Sequence, residues 1–215
     1  MNHRYITVID LETTGKDKYT CFPTEFACKV YNPYTFEPVP DGEFCSGLMR
    51  PQDLSIVEPE ALEITKIKMS DLEKAPLVDV MWQKCLDFIM QFNKKKDSWN
   101  CPIAGGHNID GFDIPIINRM NKLFGDKKEK TVCFNDYMTL DLLKIVFSWF
   151  NGTKELANYK LDTLRDYFGI PKEGSHRALK DVEDTGSILM RFLKYKKNSI
   201  IKGNLKLKNC FKQGN

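Results

Sequence analysis

The most constraining feature of this chain is an apolar run that ends in acids. Tyr5-Ile6-Thr7-Val8-Ile9 leads directly into Asp10-Leu11-Glu12-Thr13-Thr14-Gly15. Residues two apart on a strand point the same way, so Ile6, Val8, Asp10 and Glu12 share one face. A row that turns from apolar to anionic in this way either leaves the core at its end or meets a compensating charge. A solvated strand end satisfies the first condition, and a hard divalent ion with oxygen ligands satisfies the second.

The rest of the chain supplies a cover for such a strand. A second strand is expected over Glu25 to Tyr31, followed by Pro and Gly punctuation. Val78, Met81, Trp82, Cys85, Leu86, Phe88, Ile89 and Phe92 recur at helical spacing, with Pro76 just before them. After a Lys94-Lys95-Lys96 loop, Cys101 to Ala104 reads as a short buried strand. Gly105-Gly106 reads as a turn into a helix through Ile116, Ile117, Met120 and Phe124, with Pro115 in its first turn. Further helices are expected from Met138 to Phe150, from Leu161 to Phe168 with Gly169 and Pro171 closing it, and from about Ala178 to Leu193. Early strands, helices between and after, and no internal repeat predict an α/β fold, a mixed sheet covered by helices.

Composition narrows the class. At 42% hydrophobic and 28% charged residues the chain is too apolar for disorder. It contains no run near the roughly 18 apolar residues of a membrane span, so no membrane partner is expected. The amino terminus offers no signal-like segment, which predicts a cytoplasmic protein. The seven cysteines are odd in number and lack Cys-x-x-Cys spacing, which predicts buried, reduced thiols and no structural zinc. The net charge of +3 hides an asymmetry: Lys194 to Asn215 holds seven lysines and no acid. Taking those from the 32 basic residues leaves 25 against 29 acids. Residues 1–193 are read as one domain and 194–215 as a flexible basic tail suited to phosphate contacts or simply to solvation.

Two more segments carry chemistry. Asp113 lies in His107-Asn108-Ile109-Asp110-Gly111-Phe112-Asp113, at a helix start, where an acid also has a purely structural use against the backbone dipoles. His176 precedes Asp181 in Ser175-His176-Arg177-Ala178-Leu179-Lys180-Asp181. A loop histidine of ordinary pKa about 6.5 beside a fixed carboxylate suits proton transfer near neutral pH, and a satisfied surface histidine is the alternative.

Together the three segments resemble the DEDDh (DnaQ-like) family of 3′→5′ exonucleases. Val8-Ile9-Asp10-Leu11-Glu12-Thr13-Thr14-Gly15 matches that family's first motif. His107-Asn108 with Phe112-Asp113 matches the second, and His176-Arg177-Ala178-Leu179 with Asp181-Val182 the third. Pro59 to Thr65 and Leu161-Asp162-Thr163-Leu164 are supporting stretches, so the resemblance spans roughly residues 5 to 193. A tyrosine subtype would place Tyr at Arg177; His176, five before Asp181, selects the histidine subtype. Where many relatives carry Asp-Thr-Leu, this chain has Met138-Thr139-Leu140.

The resemblance implies a ribonuclease H-like sheet and two divalent ions, Mg²⁺ or Mn²⁺. Asp10, Glu12 and Asp181 would hold one, and Asp10 and Asp113 the other. His176 would act as general base, while Thr13, Leu62 and His107 would line the pocket of the terminal nucleotide. Asp184 and Glu183 are assigned structural or supporting places. The implied partner is a nucleic acid with a free 3′ end, DNA ahead of RNA, together with a polymerase or other replication or repair protein. RNA 3′-end trimming and a catalytically silent nucleic-acid-binding subunit are the alternative readings.

Overall fold

The apolar run of the sequence is strand β1 (Ile6–Thr13), and it forms the centre of a five-stranded sheet in the computed structural model. The structure describes residues 4–93, 99–125, 132–135 and 137–202. β2 (Pro23–Tyr31) pairs antiparallel with β1, and β3 (Pro38–Cys45) antiparallel with β2. On the other side β4 (Ile103–Gly106) and β5 (Thr139–Asp141) run parallel to β1, giving the order β3-β2-β1-β4-β5. Among the described residues the α-helices are α1 (Pro59–Thr65), α2 (Met69–Leu72) and α3 (Val78–Met90) between β3 and β4, α4 (Asp113–Phe124) between β4 and β5, and α5 (Leu142–Phe150), α6 (Leu161–Phe168) and α7 (Ala178–Lys202) after β5. The expected mixed sheet flanked by helices is what forms.

Strand alternation divides the core in two. Ile9 and Leu11 of β1 and Phe26 and Cys28 of β2 pack under α3 and α4, against Trp82, Ile89, Ile116 and Met120. Ile6, Val8, Ala27 and Tyr31 face the opposite side and pack against Leu142, Leu164, Val182 and Leu189 of α5, α6 and α7. Asp10 and Glu12 continue this second row. Burying the two apolar rows at about 25 cal/mol per Å² holds both faces of β1 and leaves its carboxyl end nowhere to turn away.

Several sequence expectations shift. β3 was not anticipated because only Gly42 in it is buried, so an edge strand leaves little apolar alternation to read. Gly105 and Gly106 lie inside β4 rather than in a turn. A Cβ on Gly105 would meet Leu189 Cδ2 at 2.9 Å, and one on Gly106 would meet the Ile9 carbonyl oxygen at 2.8 Å. The glycines therefore serve close packing against α7 and β1. Thr139 to Asp141, expected as the start of a helix, is a strand, and the helix begins at Leu142.

The last helix runs to Lys202, beyond the expected end at Leu193. Lys194 Nζ reaches Glu37 at 2.7 Å, and the Tyr195 ring stands edge-on to Trp149 at 5.4 Å, so the start of the basic stretch is helix rather than loose tail. The Lys94-Lys95-Lys96 loop and the remainder of the tail, with Leu205-Lys206-Leu207, lie outside the described residues. Among the described residues six cysteines are free, and Cys45 is exposed rather than buried because it sits on the edge strand. No helix among the described residues is long and apolar enough to cross a membrane.

Candidate active site

The carboxyl end of β1 delivers Asp10 and Glu12 to the face covered by α7, whose first turn carries Asp181. α7 packs across β1, β2 and β4 through Val182, Ile188 and Leu189, and this packing joins Asp181 to residues far from it in the sequence. One carboxylate oxygen from each of Asp10, Glu12 and Asp181 lies within 4.8 Å of the others. Glu12 and Asp181 are only 9% and 8% exposed, so water does little to screen them.

Asp113, at the first position of α4, approaches from the other layer around the end of the sheet. Its carboxylate is steadied by the backbone N–H of Leu11 and by its own N–H. It lies outside the trio but close enough that its charge acts on Asp10.

The electrostatics report an uncompensated cluster. Burial drives the Asp10 carboxyl well above the usual carboxylate range, and the charges of Asp113, Glu12 and Asp181 add to the shift while Arg165 opposes it. Burial, then Asp181 and Glu25, push Glu12 up to about 7. Burial pushes Asp113 up to about 8. Asp181 is raised by burial as well, against the pull of Arg165 and His176. Hard oxygen donors that converge while repelling one another form a donor set suited to a hard divalent cation, because such a cation relieves the repulsion at once.

His176 sits just before α7 in the left-handed region, at φ 65°. Its backbone N–H donates to Asp181 Oδ1 at 3.2 Å, and its imidazole lies near enough to Asp181 and Asp162 to favour their charged forms.

Of the three residues expected to share one pocket, Thr13 and His107 line different grooves and Leu62 lines neither of them. Thr13 lines a groove of about 160 Å³ beside Glu12, with Gly15, Ala61, Thr65 and Phe112, and its hydroxyl donates to the Gly15 carbonyl at 2.7 Å. Leu62 packs instead toward Val57, Ile67 and Leu72, and its neighbours Ala61 and Thr65 supply the groove wall. Periodicity explains the exchange, since α1 turns Leu62 inward to a small core of its own. His107 lines a second groove of about 420 Å³ with Asn108, Tyr159 and Lys160. Burial, aided by the charge of Arg165, pulls its imidazole down to about 4. Its Nδ1 is buried without a hydrogen-bond partner among the described residues.

Three supporting residues escaped the sequence reading. Glu25, 1% exposed on β2, accepts from Arg177 Nη2 at 2.8 Å and from the Ala178 N–H at 3.0 Å, so it anchors the start of α7. Asp141 follows the Met138-Thr139-Leu140 run. It caps α5 through the Leu143 N–H at 3.0 Å and accepts from the Asn108 N–H at 2.9 Å, which steadies the loop leading to Asp113. Arg165 is buried and bonded to Asp181 at 2.6 Å. Glu25 opens an apolar run and Asp141 stands between two leucines, a signal that names no partner, while Arg165 lies among Asp162, Thr163 and Asp166 and gives no such signal.

The family model described as Exonuclease (RNase_T) matches residues 7–189, a span that contains every carboxylate of the cluster. The chain belongs to the exonuclease family. Among curated relatives, the PolC-type DNA polymerase III of Caldanaerobacter subterraneus subsp. tengcongensis is 29% identical over 131 residues, which is 61% of this chain and 8% of that protein. The chain therefore spans a small fraction of the relative it matches. Exonuclease I of E. coli, solved in complex with a dT13 oligonucleotide, superposes with a TM-score of 0.61 at 16% identity, covering 91% of this chain and 44% of the other. A 3′-exonuclease solved for 3′-end recognition of a histone mRNA stem-loop gives a TM-score of 0.62 at 18% identity, covering 90% and 83%. These likenesses establish the ribonuclease H-like exonuclease fold.

Proposed function

We propose that this chain is a divalent-metal-dependent 3′→5′ exonuclease of the histidine subtype that trims single-stranded DNA ends to nucleoside 5′-monophosphates. The observation that carries the reading is the convergence of Asp10, Glu12 and Asp181 oxygens within 4.8 Å, inside the exonuclease family match. Asp10, Glu12 and Asp181 would hold one Mg²⁺ or Mn²⁺, and Asp10 with Asp113 a second. When bound, such a pair stabilises the attacking and leaving oxygens of an in-line phosphoryl displacement.

The chain's own residues account for the rest of the chemistry. His176 takes the proton of the attacking water at its imidazole and is oriented by a backbone bond that also fixes Asp181. Thr13 and its groove beside Glu12 receive the terminal nucleotide, and the second groove at His107, Tyr159 and Lys160 receives the strand behind it. An aromatic ring next to a lysine suits a base and a phosphate of single-stranded nucleic acid. The oligonucleotide complex of exonuclease I supports DNA, and the PolC-type relative supports a place beside a polymerase.

RNA 3′-end trimming is the second reading, favoured by the mRNA-recognising neighbour whose length this chain nearly matches. One experiment tests polarity, activity and substrate together. The full chain is incubated with 3′- and 5′-labelled single-stranded DNA, duplex DNA and RNA, with Mg²⁺ and then with chelator. Mg²⁺-dependent release of 5′-mononucleotides from DNA 3′ ends is the expected result. Cleavage of RNA alone favours the second reading, and no hydrolysis of any substrate overturns both.

A further inference from the structure

Arg165 of α6 is a cation buried beside the site, with 1% of its side chain exposed. Its guanidinium spreads over three carboxylates. Nη2 donates to Asp181 Oδ1 at 2.6 Å, Nε to Asp184 Oδ2 at 2.8 Å, and Nη1 to Asp162 Oδ1 at 2.7 Å. Lys180 Nζ adds a bond to Asp184 Oδ1 at 2.6 Å. A buried guanidinium is tolerated when its donors are paired in this way, and unlike Lys or His it cannot shed its proton.

The clamp acts on the cation site through Asp181. Among the described residues, the two side-chain bonds that Asp181 accepts, from Arg165 and from the His176 N–H, both fall on Oδ1. Oδ2 is thereby left as the acceptor available to a cation. With no dication bound, the guanidinium already offsets part of the repulsion among Asp10, Glu12, Asp113 and Asp181. With a dication bound, the same fixed positive charge stands behind one of its ligands and repels it. Asp184 and Asp162 moderate that repulsion by neutralising part of the guanidinium.

Resting on the reading that this acidic group holds divalent ions, we propose that Arg165 is a resident counter-charge and positioning residue: it keeps Asp181 in place before the dication arrives and lowers the affinity with which the dication is then held. Asp184 tunes this effect, because it faces the guanidinium without belonging to the ligand trio.

Mn²⁺ binding to the full chain, read by the electron paramagnetic resonance signal of the free ion, separates this role from a structural one. Arg165→Met removes the repelling charge and is expected to tighten the dissociation constant on the order of tenfold, about what 1.4 kcal/mol of relieved repulsion gives. Asp184→Asn keeps the shape and an acceptor for Nε but leaves the guanidinium less neutralised, and is expected to weaken Mn²⁺ binding severalfold. Opposite shifts support the proposal, since damage to the fold would weaken binding in both. Should Arg165→Met fail to fold, Arg165→Gln, which keeps an amide donor without the charge, takes its place: tighter binding than wild type supports the role, and unchanged or weaker binding overturns it. Shifts in one direction, or none, in two folded variants reduce Arg165 to a strut between α6 and α7. Absence of Mn²⁺ binding in the wild type would instead overturn the metal reading itself, and this inference with it.

Discussion

Glu12 on β1 stands directly opposite Glu25 on β2 in the antiparallel register, two carboxylates side by side in an almost dry site. Like charges directly opposite on a sheet destabilise it unless something intervenes. Here the two are given different tasks. Glu25 is satisfied by Arg177 and the Ala178 N–H, while Glu12 joins Asp10 and Asp181. Replacing Glu25 with Ala strips the acceptor from a buried backbone donor and is expected to cost about 1–3 kcal/mol in denaturant unfolding. Hydrolysis should fall as well, because the start of α7 carries both His176 and Asp181. Unchanged stability would show that Glu25 is not the anchor.

Asp10→Asn and Asp181→Asn are both expected to abolish hydrolysis, yet to affect the metal-free protein oppositely. Asp10 is crowded by like charges, so neutralising it should raise Tm in chelator, by about 2–4 °C for each kcal/mol of relieved repulsion. Asp181 is the partner of buried Arg165, so neutralising it should lower Tm. Calorimetry in EDTA checks the pair, and a rise in both would contradict the clamp geometry.

The pH dependence follows from the same crowding. Glu12 and Asp113, with folded values pushed up to about 7 and about 8, bind protons more tightly when folded than when unfolded. Their contribution to stability is therefore complete below the unfolded carboxylate range near pH 4 and is lost as the pH rises through 7 to 8. Unfolding in EDTA between pH 5 and pH 9 should show a declining stability. Mg²⁺ binds the ionised carboxylates and should flatten that decline, whereas identical curves with and without Mg²⁺ would count against cation binding here.

His176 needs a substitution that respects its backbone. At φ 65° an alanine would be strained, while asparagine tolerates the left-handed region and keeps the N–H that holds Asp181. His176→Asn is expected to lower single-turnover hydrolysis by roughly 10²–10⁴-fold, the range for loss of a general base, with Mn²⁺ affinity little changed. Loss of metal binding in step with activity would make His176 a positioning residue only.

Gly105 sets how closely α7 lies on the sheet. A Cβ there would reach Leu189 Cδ2 at 2.9 Å, so Gly105→Val is expected to push α7 outward and cost about 1–3 kcal/mol. Activity should fall more steeply than stability because Asp181 rides on the displaced helix, and a fully active, stable Gly105→Val would refute the close-packing argument.

What the amino-acid order determined by itself was local. The strand ending in Asp10 and Glu12, the helices from Val78, Leu161 and Ala178, the closing Gly169 and the His176 to Asp181 spacing are all periodicity or cap chemistry, which acts within a few residues. Leu62 shows the limit of that reading: the resemblance marked the stretch around it, but that the stretch is a helix, and which of its faces meets a groove, depends on what packs behind it. The tertiary structure alone decided that β3 and β5 exist, since an exposed edge and a three-residue strand bury too little to leave a pattern. It also decided the partners of Glu25, Asp141 and Arg165. A charge that becomes buried needs a counterpart, but Coulomb and hydrogen-bond energies depend on distances across layers, and those exist only once α6 and α7 have closed over β1 and β2.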